Sequence, residues 1–118
     1  MVLDENTPLN QFSFGGDWDV SDEYSASGRN ASLLYNFTAE HVYLVLKPGT
    51  AVNGKIKVFL DGKVVDAKHK GADVKDGIVT VDWDRMYDII DLKGSFENHI
   101  LRLEFQTPGI QVYTYTFG

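Results

Sequence analysis

The chain has no cysteine, which removes disulfides, thiolate metal ligands and thiol redox chemistry from its own repertoire. Proline is scarce, with 3 in 118 residues, and Pro48 and Pro108 each stand beside a glycine, as turn residues do. No apolar run approaches the roughly 20 residues of a transmembrane helix. The opening MVLDENTPL lacks the basic-then-apolar order of a secretory signal. Positive charge is in short supply: 11 Lys and Arg against 17 Asp and Glu leave a net charge of −6 and a pI near 4.8. That balance argues against a phosphate-tracking nucleic-acid surface and against binding to anionic lipid. Lys63, Lys68, Lys70 and Lys75 make one basic stretch around His69, which reads as a solvated loop because nucleic-acid patches normally come with a basic domain.

What is present is strand pattern. Hydrophobic residues are 43% and charged residues 24%, ordinary values for one globular domain that buries a single core. From Glu40 to Val65, Val42, Leu44 and Leu46 alternate with Tyr43, Val45 and Lys47, and Ile56, Val58 and Leu60 alternate with Lys55, Lys57 and Phe59. This is the period of strands with one face buried more deeply than the other. Asp61-Gly62 and Asp76-Gly77 are hairpin signals, because a two-residue type I′ turn needs positive φ at both positions.

Residues 1–11 read as a polar lead-in or linker, and 12–118 as a single domain. Within it, a short strand beginning near Phe12 runs to a turn at Gly15-Gly16, and Trp18 to Tyr24, Ser32 to Thr38, Ile78 to Val81, His99 to Phe105 and Gln111 to Phe117 have strand spacing. Asp66 to Lys75 reads as a loop joining one sheet to the other. In Asp84 to Asp91, Met86, Ile89 and Ile90 would share a helical face, but an extended run is the stronger reading beside so many strands. Many short strands at hairpin spacing and no long helix predict an all-β, jelly-roll-like antiparallel β-sandwich, with a barrel as the alternative.

An ordered series of short motifs runs through this pattern: Gly16-Asp17-Trp18, Val42-Tyr43-Leu44-Val45, Asp61-Gly62-Lys63, Gly71-Ala72-Asp73-Val74, Val79-Thr80-Val81-Asp82, Met86-Tyr87-Asp88-Ile89-Ile90, Leu101-Arg102-Leu103-Glu104-Phe105, Pro108-Gly109 and Tyr115-Thr116-Phe117-Gly118. The series resembles the thioredoxin-like C-terminal domain, which follows the thioredoxin module in DipZ-type cytochrome-c-biogenesis proteins and related bacterial redoxins. The resemblance covers Phe12 to Gly118. It implies a carbohydrate-binding-module-like sandwich, not a thioredoxin fold. It also implies an accessory place in an extracytoplasmic (periplasmic or cell-envelope) thiol-disulfide oxidoreductase, with the thioredoxin-like module of that parent as partner. The chain has no Cys-x-x-Cys pair and no thioredoxin module ahead of Phe12. The family supplies no catalytic residue to carry over, so this domain is read as not itself an enzyme.

Carbohydrate modules stack aromatic rings on the apolar faces of sugars and offer carboxylates to their hydroxyls. Trp18, Trp83, Tyr43, Tyr87, Tyr113 and Tyr115 supply rings, although in a sandwich such rings more often fill the core. Trp83, flanked by Asp82, Asp84 and Arg85, is the best candidate for an exposed ring. With Tyr87 those residues form the expected contact set for a carbohydrate-like ligand. The competing expectation is a structural domain that packs on the parent's thioredoxin module or on a second copy. The acidic run Asp17, Asp19, Asp22 and Glu23 reads as a solvated edge; a structural Ca²⁺ is the less favoured reading, because the spacing matches no EF-hand loop. No other cofactor is expected. Asp82 and Asp84 do not make a glycosidase pair, and His41, His69 and His99 form no zinc motif.

Overall fold

The computed structural model describes residues 12–20, 24–50 and 52–117. They form β1 (Phe12–Gly15), β2 (Trp18–Val20), β3 (Ser25–Ser27), β4 (Ser32–Ala39), β5 (His41–Lys47), β6 (Gly54–Leu60), β7 (Lys63–Val64), β8 (Val74–Lys75), β9 (Ile78–Val81), β10 (Arg85–Asp91), β11 (Glu97–Phe105) and β12 (Gln111–Phe117), with no helix among the described residues. One sheet has seven strands in the order β1-β4-β11-β6-β9-β8, with β7 beside β6; the other has five, in the order β10-β5-β12-β3-β2. The strand pairs are antiparallel. The fold is therefore the expected β-sandwich and not a barrel.

The chain changes sheet between β1 and β2, β3 and β4, β4 and β5, β5 and β6, β9 and β10, β10 and β11, and β11 and β12. Residues that alternate along each strand consequently meet in the middle. Leu33, Tyr35 and Phe37 of β4, Ile56 and Val58 of β6, and Leu101 and Leu103 of β11 bury one sheet's inner face against Val42, Leu44 and Leu46 of β5 and Tyr87, Ile89 and Ile90 of β10. Asp61-Gly62 (φ +52° and +84°) and Asp76-Gly77 (+52° and +77°) turn with positive φ at both positions, as their sequence predicts. Asp61 also accepts a hydrogen bond from the Ile100 N–H at 2.9 Å, which ties the β6–β7 turn to β11.

Two features differ from the sequence reading. The segment from Asp66 to Lys75 does not join the sheets: β7 and β8, at its two ends, both belong to the seven-stranded sheet. The loop instead lies along the edge of β10, where Gly71 N–H reaches Ile89 O (2.8 Å) and Asp91 N–H reaches His69 O (3.0 Å). It thereby covers backbone groups that an edge strand would leave open. Secondly, the pairing of β10 with β5 shifts between Asp88 and Ile90, and that of β12 with β5 between Val112 and Thr114. A bulge adds a residue and turns later side chains to the other face, so simple alternation fails at both places.

Candidate functional site

The predicted ring stands where the chain crosses from the seven-stranded sheet to the five-stranded one. Trp83 lies in the β9–β10 turn and is 61% exposed, yet its backbone is fixed from below. Tyr87, fully buried, directs its hydroxyl up into the turn. The hydroxyl donates to Trp83 O at 2.7 Å, with Asp82 Oδ1 at 3.0 Å as a second acceptor. It accepts from the backbone N–H groups of Asp82 (3.2 Å) and Trp83 (3.4 Å). A tyrosine suits this position because its ring fills core while its polar tip satisfies a turn. Burial is the main reason that the Tyr87 hydroxyl titrates above its ordinary range.

Arg85 completes the support. Its guanidinium lies over the Tyr87 ring, 3.9 Å from the centroid, and donates from Nη2 to Asp73 Oδ1 at 2.8 Å. The other oxygen of Asp73 accepts the Asp88 N–H at 2.7 Å. Burial pushes the Asp73 carboxyl up, but the Arg85 hydrogen bond, the Asp88 N–H and the guanidinium charge outweigh it and hold the group below the usual carboxylate range.

The expected contact set therefore divides. Trp83, Asp82 and Asp84 face solvent. Tyr87 is buried and holds the turn, and Arg85, half-buried, is engaged by Asp73 and the Tyr87 ring; the buried Tyr87 ring cannot itself meet a ligand. Trp18 belongs to the core margin: its ring packs edge-on against Phe14 and Phe105, with centroids 5.1 and 5.0 Å away, and its indole N–H reaches Gly15 O at 2.8 Å.

The sequence reading missed the neighbours that β5 and β12 bring to Asp84, the residue after Trp83. Lys47 Nζ stands 3.9 Å from Asp84 and 4.5 Å from the centre of the Tyr113 ring. Tyr24 lies against Tyr113 at 5.2 Å. Met86, 52% exposed, pairs in register with Val45. Only the alternation of β5, which puts Tyr43, Val45 and Lys47 on one face, hints at this group in the sequence. The Tyr115 side chain lies outside the described residues.

Of the candidate Ca²⁺ ligands, Asp17 and Asp19 are exposed; Asp22 and Glu23 lie outside the described residues. His69 and His99, 30 residues apart in sequence, meet edge to face at 5.9 Å. His99 bridges Asp61 (2.5 Å) and Glu97 (2.7 Å). Burial disfavours its protonation, but these two carboxylates prevail and raise its pKa. This is a clasp between the β6–β7 turn and β11, on a groove of about 470 Å³ that Val64, Val65 and Asp66 also line.

The model of the thioredoxin-like C-terminal domain matches residues 2–118. The chain belongs to that family. No curated protein sequence matches it. Among solved structures it is similar to a family two carbohydrate esterase from Clostridium thermocellum determined in complex with cellohexaose, and to an active-site mutant of that esterase in complex with the same kind of ligand. Each gives a TM-score of 0.71 at 16% identity, covering 92% of this chain. The chain spans 31% of the length of either esterase chain, and the likeness is one of fold.

Proposed function

We propose that this member of the thioredoxin-like C-terminal domain family is a non-catalytic binding module that takes a carbohydrate-like ligand around the exposed Trp83 in its β9–β10 turn. The observation that carries the reading is that Trp83 is 61% exposed while the backbone beneath it is held by the buried Tyr87. A ring carried on a backbone that is already held has met part of the ordering cost of binding. Around it, Asp82 and Asp84 offer carboxylates to sugar hydroxyls, and Lys47 and Tyr113 extend the surface. The similar esterase was solved with cellohexaose, which makes β-linked glucose oligomers the first ligands to try. In its parent the module would accompany a thioredoxin-like thiol-disulfide oxidoreductase of the cell envelope and help to place it on its target.

The test is a titration of the chain with cellohexaose and with solubilised cell-wall polysaccharides, followed by tryptophan fluorescence. Saturable quenching is expected, with affinity reduced at least tenfold in Trp83→Ala. No change up to millimolar ligand across the panel, or undiminished binding by the variant, overturns the reading.

A further inference from the structure

The geometry points to a site for a divalent cation of the first transition row, Zn²⁺ or Mn²⁺ in character, formed by His41, Asp88 and Asp91 on the outer face of the five-stranded sheet, toward the end of β10 away from Trp83. Asp88 and Asp91 are three residues apart, and on a regular strand they would point to opposite faces. The bulge in β10 removes that obstacle. With the register shifted between Asp88 and Ile90, Ile89 and Ile90 both enter the core, and Asp88 and Asp91 both come to the outer face. Bulges often re-aim side chains in this way beside functional sites. Across the ladder stand Tyr43, opposite Asp88, and His41, opposite Asp91.

One ligand atom from each of His41, Asp88 and Asp91 lies within 4.8 Å of the others. The Tyr43 ring stacks on the imidazole, 5.3 Å between centroids and 9° from parallel, which fixes the plane of the imidazole. His41 Nε2 is 3.5 Å from Asp91 Oδ1 and 3.9 Å from Glu40 Oε1. Neither Asp88 nor Asp91 is ion-paired with a lysine or arginine side chain among the described residues, although Asp91 Oδ1 accepts the Lys93 backbone N–H at 2.9 Å. His41 Nδ1 and Asp88 Oδ1 are buried atoms with no hydrogen-bond partner. Such atoms are costly unless something satisfies them. Gly71 on the covering loop makes room for the carboxylate: a Cβ there would lie 2.4 Å from Asp88 Oδ1.

The donor set selects the ion. Imidazole nitrogen suits zinc, copper, iron and nickel, whereas carboxylates suit manganese, magnesium and calcium; a mixed set of one nitrogen and two carboxylates falls to zinc or manganese, with water in the remaining positions. Calcium prefers six to eight oxygens. Bonds of about 2.0–2.2 Å in a tetrahedral shell place ligand atoms about 3.3 Å apart, so the partly buried side chains need to close by no more than about 1.5 Å. The site is independent of whatever ligand Trp83 takes.

The experiment titrates metal-stripped protein with Zn²⁺ by calorimetry and with Co²⁺ by visible absorption. One equivalent bound at micromolar affinity is expected, with a d–d spectrum of low-symmetry Co²⁺ and a metal-dependent shift of the His41 imidazole resonances in NMR. His41→Gln and Asp91→Asn should each weaken binding at least tenfold, and His99→Gln should leave it unchanged. Circular dichroism checks each fold; should His41→Gln fail to fold, Asp91→Asn carries the test. Binding only at millimolar metal, equal binding by Asp91→Asn, or loss of binding in His99→Gln would overturn the assignment and leave His41 as an ion-pair partner of Asp91.

Discussion

Asp17-Trp18-Asp19 and Asp82-Trp83-Asp84 are the same tripeptide twice, and the fold treats them in opposite ways. Trp18 opens β2 and turns inward, edge-on to Phe14 and Phe105, with its indole N–H on Gly15 O. Trp83 sits in a turn, its ring in solvent and its backbone gripped by Tyr87. In Asp17-Trp18-Asp19 both flanking aspartates are exposed, Asp17 just before the edge strand β2 and Asp19 within it, while the ring between them packs on the core margin. In the second tripeptide no strand alternation applies, because β9 ends at Val81 and β10 begins at Arg85. Polar neighbours therefore do not by themselves mark an exposed ring; the position relative to strand ends does.

The sharpest way to break this contrast is to truncate both rings. Trp18→Ala removes a half-buried indole with its aromatic contacts and its hydrogen bonds, and should cost about 2–4 kcal/mol, toward the lower part of the range for large core aromatics. Trp83→Ala should change stability by no more than about 0.5 kcal/mol, as exposed positions do. Urea denaturation of the two variants beside the parent measures both. Equal losses would show that Trp83 also packs against the protein, and would remove the basis for reading it as a binding platform.

A second, smaller effect separates the ring from its support. Tyr87→Phe keeps the buried ring but leaves Trp83 O and the Asp82 and Trp83 N–H groups without the hydroxyl, a loss of about 1–2 kcal/mol. Acrylamide quenching of Trp83 should rise while that of Trp18 stays unchanged. If neither stability nor quenching moves, the turn is held by other means and the ring is not preorganised.

Much of the fold was legible because its signals are local. The alternation in β5, β6 and β11 and the two Asp-Gly turns each span only a few residues, and they match the structure strand by strand. What could not be read depends on contacts between distant segments or on a broken period. Ile89-Ile90 looks like a helical pair until the bulge in β10 explains why both are buried. The loop from Asp66 to Lys75 has the composition of any solvated connection, and only its hydrogen bonds to β10 show that it edges the other sheet. For the site, Trp83 was found for a reason that Trp18 shares, whereas Arg85 looked like a ligand contact because its partner Asp73 is 12 residues away. Lys47 and Tyr113 belong to separate strands, and nothing in the sequence near Trp83 points to them.

The smallest effect, and the most selective, is acid. Asp73 is held below its ordinary pKa, so the Arg85–Asp73 pair contributes stability that is fully present above the unfolded aspartate value, near 3.9, and is lost as pH falls through the folded value. The pair is 22–31% exposed, and solvent screening keeps its contribution to about 1 kcal/mol. Protonating Asp73 should free Arg85 from one side of the Trp83 turn while leaving the strand that carries Trp18 intact. Below about pH 4 the emission of Trp83, obtained as the difference between the parent and Trp83→Phe, should change before the emission of Trp18 does. Asp73→Asn should show the altered Trp83 signal already at neutral pH and flatten the acid response. A simultaneous change of both tryptophans would mean that the turn and the core lose their structure as one unit, and that Trp83 is no more separable from the sandwich than Trp18.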